Sequence, residues 1–127
     1  MRYVAAAFIE STFHRGKSLE QFLGGKIVDG DRRIRWAELR PTKSKHIEVW
    51  LYEVPDPGNA LMDIYVLGSD LEAPDAPVAT CETSADALKL AHALLGAAFD
   101  RWVNQGVTQS EFEDFVAAGR PDHWPPL

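Results

Sequence analysis

The chain has 127 residues, a length that suits one domain and buries enough apolar surface for a core without disulfides or structural metals. Its content of 46% hydrophobic and 25% charged residues is typical of a globular protein and argues against intrinsic disorder. Cys81 is the single cysteine, which excludes an internal disulfide and a cysteine-based zinc site, and the net charge of −6 disfavours a polyanionic partner.

The N-terminal segment predicts a strand followed by a short helix. Residues 2–10 are rich in apolar side chains and predict the first strand. Residues 18–21 form a capping-box pattern, in which Ser18 caps the first turn and Gln21 reaches back to it. The glycine pair 24–25 is then expected to end this helix after one or two turns.

The middle of the chain predicts strands joined by turns. Residues 26–28 turn at Asp29-Gly30 into a strand over 33–40, and a polar loop leads to the clearest strand, over 46–54. Residues 55–59, Pro-Asp-Pro-Gly-Asn, are expected to form a turn, because proline fixes φ while glycine and asparagine accept positive φ. Residues 61–67 are expected to return as the partner strand, and a loop over 68–77 leads to a short sixth strand over 78–82.

Two helices are predicted to complete the fold. Thr83 or Ser84 caps a long helix that reaches about Gln105. Five apolar residues recur along it at three- and four-residue steps and predict one buried stripe: Leu88, Ala91, Leu95, Phe99 and Trp102. A second capping box over 108–111, flanked by apolar residues at the hydrophobic-staple positions, is expected to start the last helix.

The order of these elements predicts an α+β fold. We expect an antiparallel β-meander sheet of five or six strands, a short N-terminal helix and two C-terminal helices, the longer one packed on one sheet face. Residues 1–120 are expected to form a single domain, and residues 121–127 an extended, proline-rich tail. No segment has the pattern of a secretory signal or a membrane span, so we expect a cytoplasmic protein without a membrane partner.

The register of the sheet decides which side chains are exposed. Two registers are open for the hairpin around the polar loop. One pairs Ile34 with Leu51, whereas the other, with Lys45 in the loop, places Arg35 opposite Leu51 in the core. Burial of an unpaired guanidinium costs several kcal/mol, so we expect the first register.

This register gives the sheet two unlike faces. Six apolar residues form the expected core face under the long helix: Ile34, Trp36, Val49, Leu51, Ile64 and Val66. The opposite face carries seven candidate partner-binding residues: Arg33, Arg35, Glu48, Trp50, Tyr52, Asp63 and Tyr65. Trp, Tyr and Arg are the residue types most enriched at binding hot spots. The alternative is that the chain itself covers this face, with residues 18–25 or with the tail that carries Trp124.

The motifs of the common catalytic and cofactor sites are missing from the sequence. No glycine-rich nucleotide loop, serine-nucleophile elbow or His-Glu-x-x-His run occurs, so we expect no catalytic residue, no cofactor and no metal. One weak enzymatic alternative remains. Five residues would form a ribonuclease-like acid–base pair with phosphate contacts if His14 approached His46: His14, Arg15, Lys17, His46 and Glu48.

Charge is distributed unevenly along the chain. Residues 1–50 carry ten Lys/Arg and six Asp/Glu, whereas residues 51–127 carry three and thirteen. Such asymmetry either only solubilises the surface or steers charged partners. We favour a non-enzymatic protein-binding domain, for instance an immunity- or antitoxin-like neutraliser of a basic partner, or a domain that binds a second copy of itself. The alternative is single-stranded nucleic-acid binding or ribonuclease-like activity on the arginine–aromatic face.

Overall fold

The structure is a computed structural model that describes residues 2–69 and 73–126. Its elements are α1 (Ala6–His14), β1 (Leu19–Val28), β2 (Asp31–Pro41), β3 (Ile47–Pro55), α2 (Ile64–Ser69), β4 (Ala79–Cys81), α3 (Ser84–Leu95), β5 (Val103–Asn104) and α4 (Thr108–Ala117). The strands form one antiparallel sheet in the order β4-β3-β2-β1-β5. The predicted α+β class is confirmed, with a short N-terminal helix, helices after the sheet and α3 packed on it.

The secondary structure predicted for the N-terminal segment is wrong. The expected strand over 2–10 is replaced by helix α1, which buries Ile9 and Phe13 four residues apart, and the expected helix at 18–21 is the start of β1. β1 pairs with β2 on one side and with β5 on the other, and its side chains Leu19 and Phe22 enter the cores on the two faces of the sheet. This burial outweighs the roughly 1 kcal/mol that a helix cap contributes.

The predicted partner strand over 61–67 is also wrong, because this segment contains helix α2. Asp63 and Gln109 satisfy the first backbone amides of α2: their side-chain oxygens accept from Tyr65 N and Ile64 N, both at 2.9 Å. The strand beside β3 is β4, which lies within the predicted sixth strand. Residues 70–72 of the loop predicted over 68–77 lie outside the described residues.

The start of the long helix is confirmed, but its predicted end is wrong. Thr83 caps α3, since its side chain accepts from Asp86 N. The helix ends at Leu95 rather than near Gln105 because Gly96 adopts a left-handed φ of 75°. Trp102 is therefore buried beyond the helix. None of the described helices is long and apolar enough to cross a bilayer.

The hairpin turn at Asp29-Gly30 is confirmed, whereas the register of β2 and β3 is neither of the two predicted. Ile34 pairs with Val54, and Trp36 pairs with Tyr52. The connecting loop spans residues 42–46, and Lys45 enters it at a φ of 65°. As a result Trp36 shares a sheet face with Tyr52 and not with Val49 and Leu51.

Arg35 is half-buried, and its guanidinium finds one backbone acceptor, while its Nε has no partner among the described residues. Arg35 lies on the face that receives α3, where its Nη2 donates to the carbonyl of Leu95 at 3.3 Å. Leu95 O belongs to the last turn of α3, where backbone carbonyls lack helical partners. The early end of α3 therefore supplies a hydrogen-bond acceptor for this half-buried guanidinium.

Both faces of the sheet are covered, and each has its own core. On the first, the α1/α3 face, the core contains Ile9, Phe13, Leu19, Ala37, Leu39, Ile47, Val49, Ala87, Ala91 and Trp102. On the second, the α2/α4 face, it contains Phe22, Ile34, Trp36, Val54, Ile64, Phe112 and Phe115, and Trp124 packs against it. The chain itself thus covers much of the face that was expected to be open, and Val66, expected in the core, is 50% exposed.

Candidate functional site

The register separates the seven predicted partner-binding residues. Two lie on the α1/α3 face: Arg33 and Arg35. Three lie on the α2/α4 face: Glu48, Trp50 and Tyr52. Asp63 is exposed just before α2, and Tyr65 on α2 packs against the core of the α2/α4 face. The structure therefore brings the aromatic residues together, away from the two arginines, and their role in partner binding stays a prediction.

A cleft of about 560 Å³ opens on the α2/α4 face. We call it the carboxylate cleft. Its lining comes from β1, β2, β3, α2 and three connections: Ser18, Glu20, Trp36, Glu38, Arg40, Trp50, Tyr52, Tyr65, Ala73, Pro74 and Gln105. Three of the predicted partner-binding residues thus line one concave site, while two acidic residues that were not predicted lie within it.

Three aromatic rings pack together in the carboxylate cleft. Trp36, which is 1% exposed, stacks on Tyr52 with ring centroids 4.9 Å apart and planes within 3°. Tyr65 meets Trp36 edge-on at 6.1 Å. Aromatic ring faces carry partial negative charge and attract cations. The aromatic lining therefore favours a cationic ligand over an anionic one.

Glu20 and Glu38 are the acidic residues of the cleft. They are 3% and 4% exposed, and they lie directly opposite each other in the β1–β2 ladder. Residues in this arrangement have Cβ atoms roughly 5 Å apart, and like charges there are destabilising. The position of Glu38 could have been predicted from the sequence, since it lies an even number of residues from Ile34 and Trp36 in β2 and therefore on the same sheet face. Glu20 had none, because its segment matched a helix pattern.

The negative charge of Glu38 is compensated within the protein by an ion pair with Arg40. Arg40 donates Nε and Nη2 to its two carboxylate oxygens at 3.2 and 3.0 Å, and Tyr52 OH donates to Oε1 at 3.0 Å. Burial alone would raise the pKa of Glu38, but the hydrogen bonds from Arg40 and Ser18 bring it below the ordinary value. The guanidinium of Arg40 also lies 4.3 Å from the ring centre of Trp50.

Glu20 has no such cation. Its Oε1 accepts from Tyr65 OH at 2.6 Å, Thr108 Oγ1 at 2.9 Å and Gly106 N at 3.0 Å, and all three donors are neutral. Burial raises the pKa of Glu20, the three donors lower it in part, and the charge of Glu38 raises it further. Among residues 2–69 and 73–126, no lysine or arginine forms an ion pair with Glu20.

The two tyrosines of the cleft remain neutral hydrogen-bond donors. Burial and the neighbouring charge of Glu38 raise the pKa of Tyr52 to about 12. Burial and the hydrogen bond to Glu20 raise the pKa of Tyr65 as well. No histidine or cysteine is found among the described lining residues. The hydroxyls of Tyr52 and Tyr65 therefore donate their protons to the two buried carboxylates, Glu38 and Glu20.

A second groove, of about 760 Å³, lies between α1, the loop over 42–46 and the start of α3. Both histidines of the predicted ribonuclease-like set line it, His14 and His46, together with Lys43 and Lys45. Glu48 instead accepts from Trp50 Nε1 at 3.1 Å, on the side of the carboxylate cleft. The structure thus brings the two imidazoles to one groove and leaves Glu48 elsewhere.

The carboxylate cleft combines aromatic faces, an internally paired carboxylate and a second carboxylate without a cation. Neither a protein-family model nor a curated protein sequence nor a solved structure matches this chain. Its function therefore has to be argued from the chemistry of its own residues.

Proposed function

We propose that this chain is a non-catalytic protein-binding domain whose carboxylate cleft receives a cationic side chain of a basic partner. The observation that carries the proposal is Glu20, a buried carboxylate whose hydrogen-bond donors within residues 2–69 and 73–126 are all neutral. A buried carboxylate is unfavourable until an opposite charge compensates its lost hydration. An incoming cation supplies that charge and also relieves the repulsion from Glu38.

The aromatic residues of the cleft support the same ligand class. Tyr52 and Tyr65 are each half-buried, so their rings are partly accessible from the cleft, whereas Arg40 covers the face of Trp50. A cation held against such rings gains about 2 kcal/mol when it is desolvated. Arg40 on Trp50 shows that a side chain of this protein already uses this interaction.

A protein partner is favoured over a small ligand by the surface around α2. Leu61, Met62 and Val66 are 90%, 47% and 50% exposed, within six residues of one another and beside Tyr65. Exposed apolar residues next to a charged anchor are the usual anatomy of a protein interface. The net charge of −6 attracts a basic protein to the chain as a whole. A neutraliser of a basic protein, as immunity proteins and antitoxins are, needs these features and no catalytic group.

The test is binding of a fluorescent peptide of alternating glycine and basic residues, with lysine and arginine in equal number. We expect salt-sensitive binding to the wild type and a loss of at least about tenfold in Glu20→Gln, because the cleft loses its uncompensated charge. Glu113→Gln is the matched control, since it removes the same charge from an exposed position on α4. Equal binding by the wild type and Glu20→Gln would exclude the cleft as the binding site.

A second candidate function, ribonuclease-like activity or single-stranded nucleic-acid binding, is favoured by one observation. His14, His46, Lys43 and Lys45 line the same groove. The carboxylates of Glu10 and Glu82 line it too and oppose a polyanion. A gel shift with random single-stranded RNA at low salt tests binding, and Lys43→Ala/Lys45→Ala is the variant that should lose it. Shortening of the same RNA on a denaturing gel tests cleavage, and His46→Ala is the variant that should lose it.

A further inference from the structure

The hydrogen bonds of Glu20 leave one of its oxygens open. Among the described residues, all three donors to this carboxylate reach Oε1, namely Tyr65 OH, Thr108 Oγ1 and Gly106 N. One oxygen has two lone pairs, so Oε1 has no capacity left. Oε2 is the acceptor with which Glu20 can meet a ligand.

Glu38 does not offer a ligand a pair of open carboxylate oxygens. Arg40 occupies both of its oxygens in a bidentate arrangement, and Tyr52 adds a donor to Oε1. The face of Trp50, a favoured position for a guanidinium, is also covered by Arg40. The internal arginine thus takes the two places in the cleft that suit a guanidinium.

We infer that the cationic group recognised by the carboxylate cleft is a primary ammonium, such as a lysine side chain, and not a guanidinium. This inference rests on the proposed function. A guanidinium binds a carboxylate best through two parallel N–H···O bonds, and the cleft has one open carboxylate oxygen. An ammonium is a compact charge that needs one such oxygen. Its remaining protons find acceptors in the hydroxyl and amide oxygens of Ser18, Tyr52 and Gln105, which line the same cleft.

The experiment compares two peptides that differ only in having lysine or arginine at every basic position. Isothermal titration calorimetry should show the lysine peptide binding about five- to tenfold more tightly than the arginine peptide. Glu20→Gln should weaken both peptides and abolish the preference. Equal affinities, or tighter binding of the arginine peptide, with the loss in Glu20→Gln retained, would overturn this inference and leave the proposed function standing. No binding of either peptide, or no effect of Glu20→Gln, would overturn both.

A variant of Tyr65 tests the cause of the preference. Tyr65→Phe keeps the ring and removes the hydroxyl that donates to Oε1 of Glu20 at 2.6 Å. The double variant Tyr65→Phe/Thr108→Val also removes the hydroxyl of Thr108 and leaves Gly106 N as the described donor to Oε1. One lone pair of Oε1 is then free for a bidentate contact, so the ratio of lysine to arginine affinity should fall by at least about threefold. An unchanged ratio would contradict the argument from the occupied oxygen.

Titration with n-butylammonium distinguishes a free amine ligand from a lysine side chain of a protein. Binding much weaker than that of the lysine peptide supports a protein partner, because the peptide then gains affinity from contacts beyond a single ammonium group. Binding as tight as that of the peptide supports the ammonium preference but contradicts the protein partner of the proposed function.

Discussion

Glu20 and Glu38 face each other directly across β1 and β2, and both carboxylates are buried. Their surroundings drive the two pKa values apart: that of Glu38 lies below the ordinary glutamate value and that of Glu20 above it. The difference follows from Arg40, which pairs with Glu38 and not with Glu20. The cleft therefore contains one buried carboxylate with an internal counter-charge and one that has none among the described residues.

Replacement of Glu20 by glutamine is expected to leave stability unchanged or to raise it by about 1 kcal/mol at pH 7. The amide oxygen can still accept from the three donors, while the buried charge and its repulsion from Glu38 disappear. Urea denaturation of the two proteins measures the difference. A large loss of stability would show that the charge of Glu20 is structural and would weaken its assignment to ligand binding.

The stability of Glu20→Gln relative to the wild type should also depend on pH. Because the folded-state pKa of Glu20 is raised, its favourable contribution to wild-type stability is complete below the unfolded value near 4.5 and is lost as the pH rises through the folded pKa. The stability advantage of Glu20→Gln over the wild type should therefore increase as the pH rises from about 4.5 through the folded-state pKa of Glu20. A constant difference in unfolding free energy across the window would mean that the pKa of Glu20 is the same in both states.

Replacement of Glu38 by glutamine should have the opposite effect. The variant leaves Arg40 without its counter-charge and should lose about 1–3 kcal/mol at pH 7. The folded-state pKa of Glu38 is lowered, so its contribution is present above the unfolded value near 4.5 and is lost as the pH falls through the folded pKa. Denaturation at decreasing pH should therefore bring the variant and the wild type together. A gap that widens in acid would contradict the ion pair as the source of the stability.

The two tryptophans of the cleft should differ in their importance for stability. Trp36 is 1% exposed and packs against both tyrosines, so Trp36→Ala should cost about 3–5 kcal/mol. Trp50 is half-buried, and Trp50→Ala should cost about 1–2 kcal/mol less than the Trp36 variant. Thermal unfolding of the two variants checks the order. Similar losses would indicate that Trp50 is a core residue instead of a lining residue of the cleft.

Gly24 is required where the C-terminal segment crosses β1. Its φ is 92°, and a Cβ placed on it would lie 2.7 Å from Cβ of Trp124. Gly24→Ala should cost about 2–4 kcal/mol, the sum of the left-handed backbone strain and the displacement of the tryptophan. Gly30→Ala is the control, since Gly30 has a φ of 84° with nothing within 4 Å of the added carbon. It should lose only about 1–2 kcal/mol, and equal losses would show that Trp124 adjusts freely.

Local signals predicted the elements that depend on local chemistry. The hairpin turn at Asp29-Gly30 requires two positive φ angles, and the structure has 52° and 84° there. Thr83 caps α3 as its sequence context indicates, and the strand expected over 46–54 is β3 with one residue's shift. In these segments tertiary contacts favour the same conformation as the local sequence does.

The second capping box shows where a local signal was overridden. Helix α4 begins at Thr108 as expected, but no side chain caps it. Thr108 Oγ1 donates to Glu20, and Glu111 pairs with Arg2 and Arg101. Both polar side chains of the motif are used in contacts with residues far away in the chain. A motif defined over four residues carries no information about such partners.

Of the candidate site, Trp50, Tyr52 and Tyr65 were predicted from residue type, whereas Glu20, Glu38 and Arg40 were missed. The sequence alone determined the turn at Asp29-Gly30 and the cap of α3 by Thr83, because each depends on a few neighbouring residues. The tertiary structure decided three features: the exchange of helix and strand before residue 25, the register of β2 and β3, and the position of Glu20 opposite Glu38. Each of these depends on which distant segment pairs with which, and an apolar segment of ten residues satisfies either conformation until its partner is present.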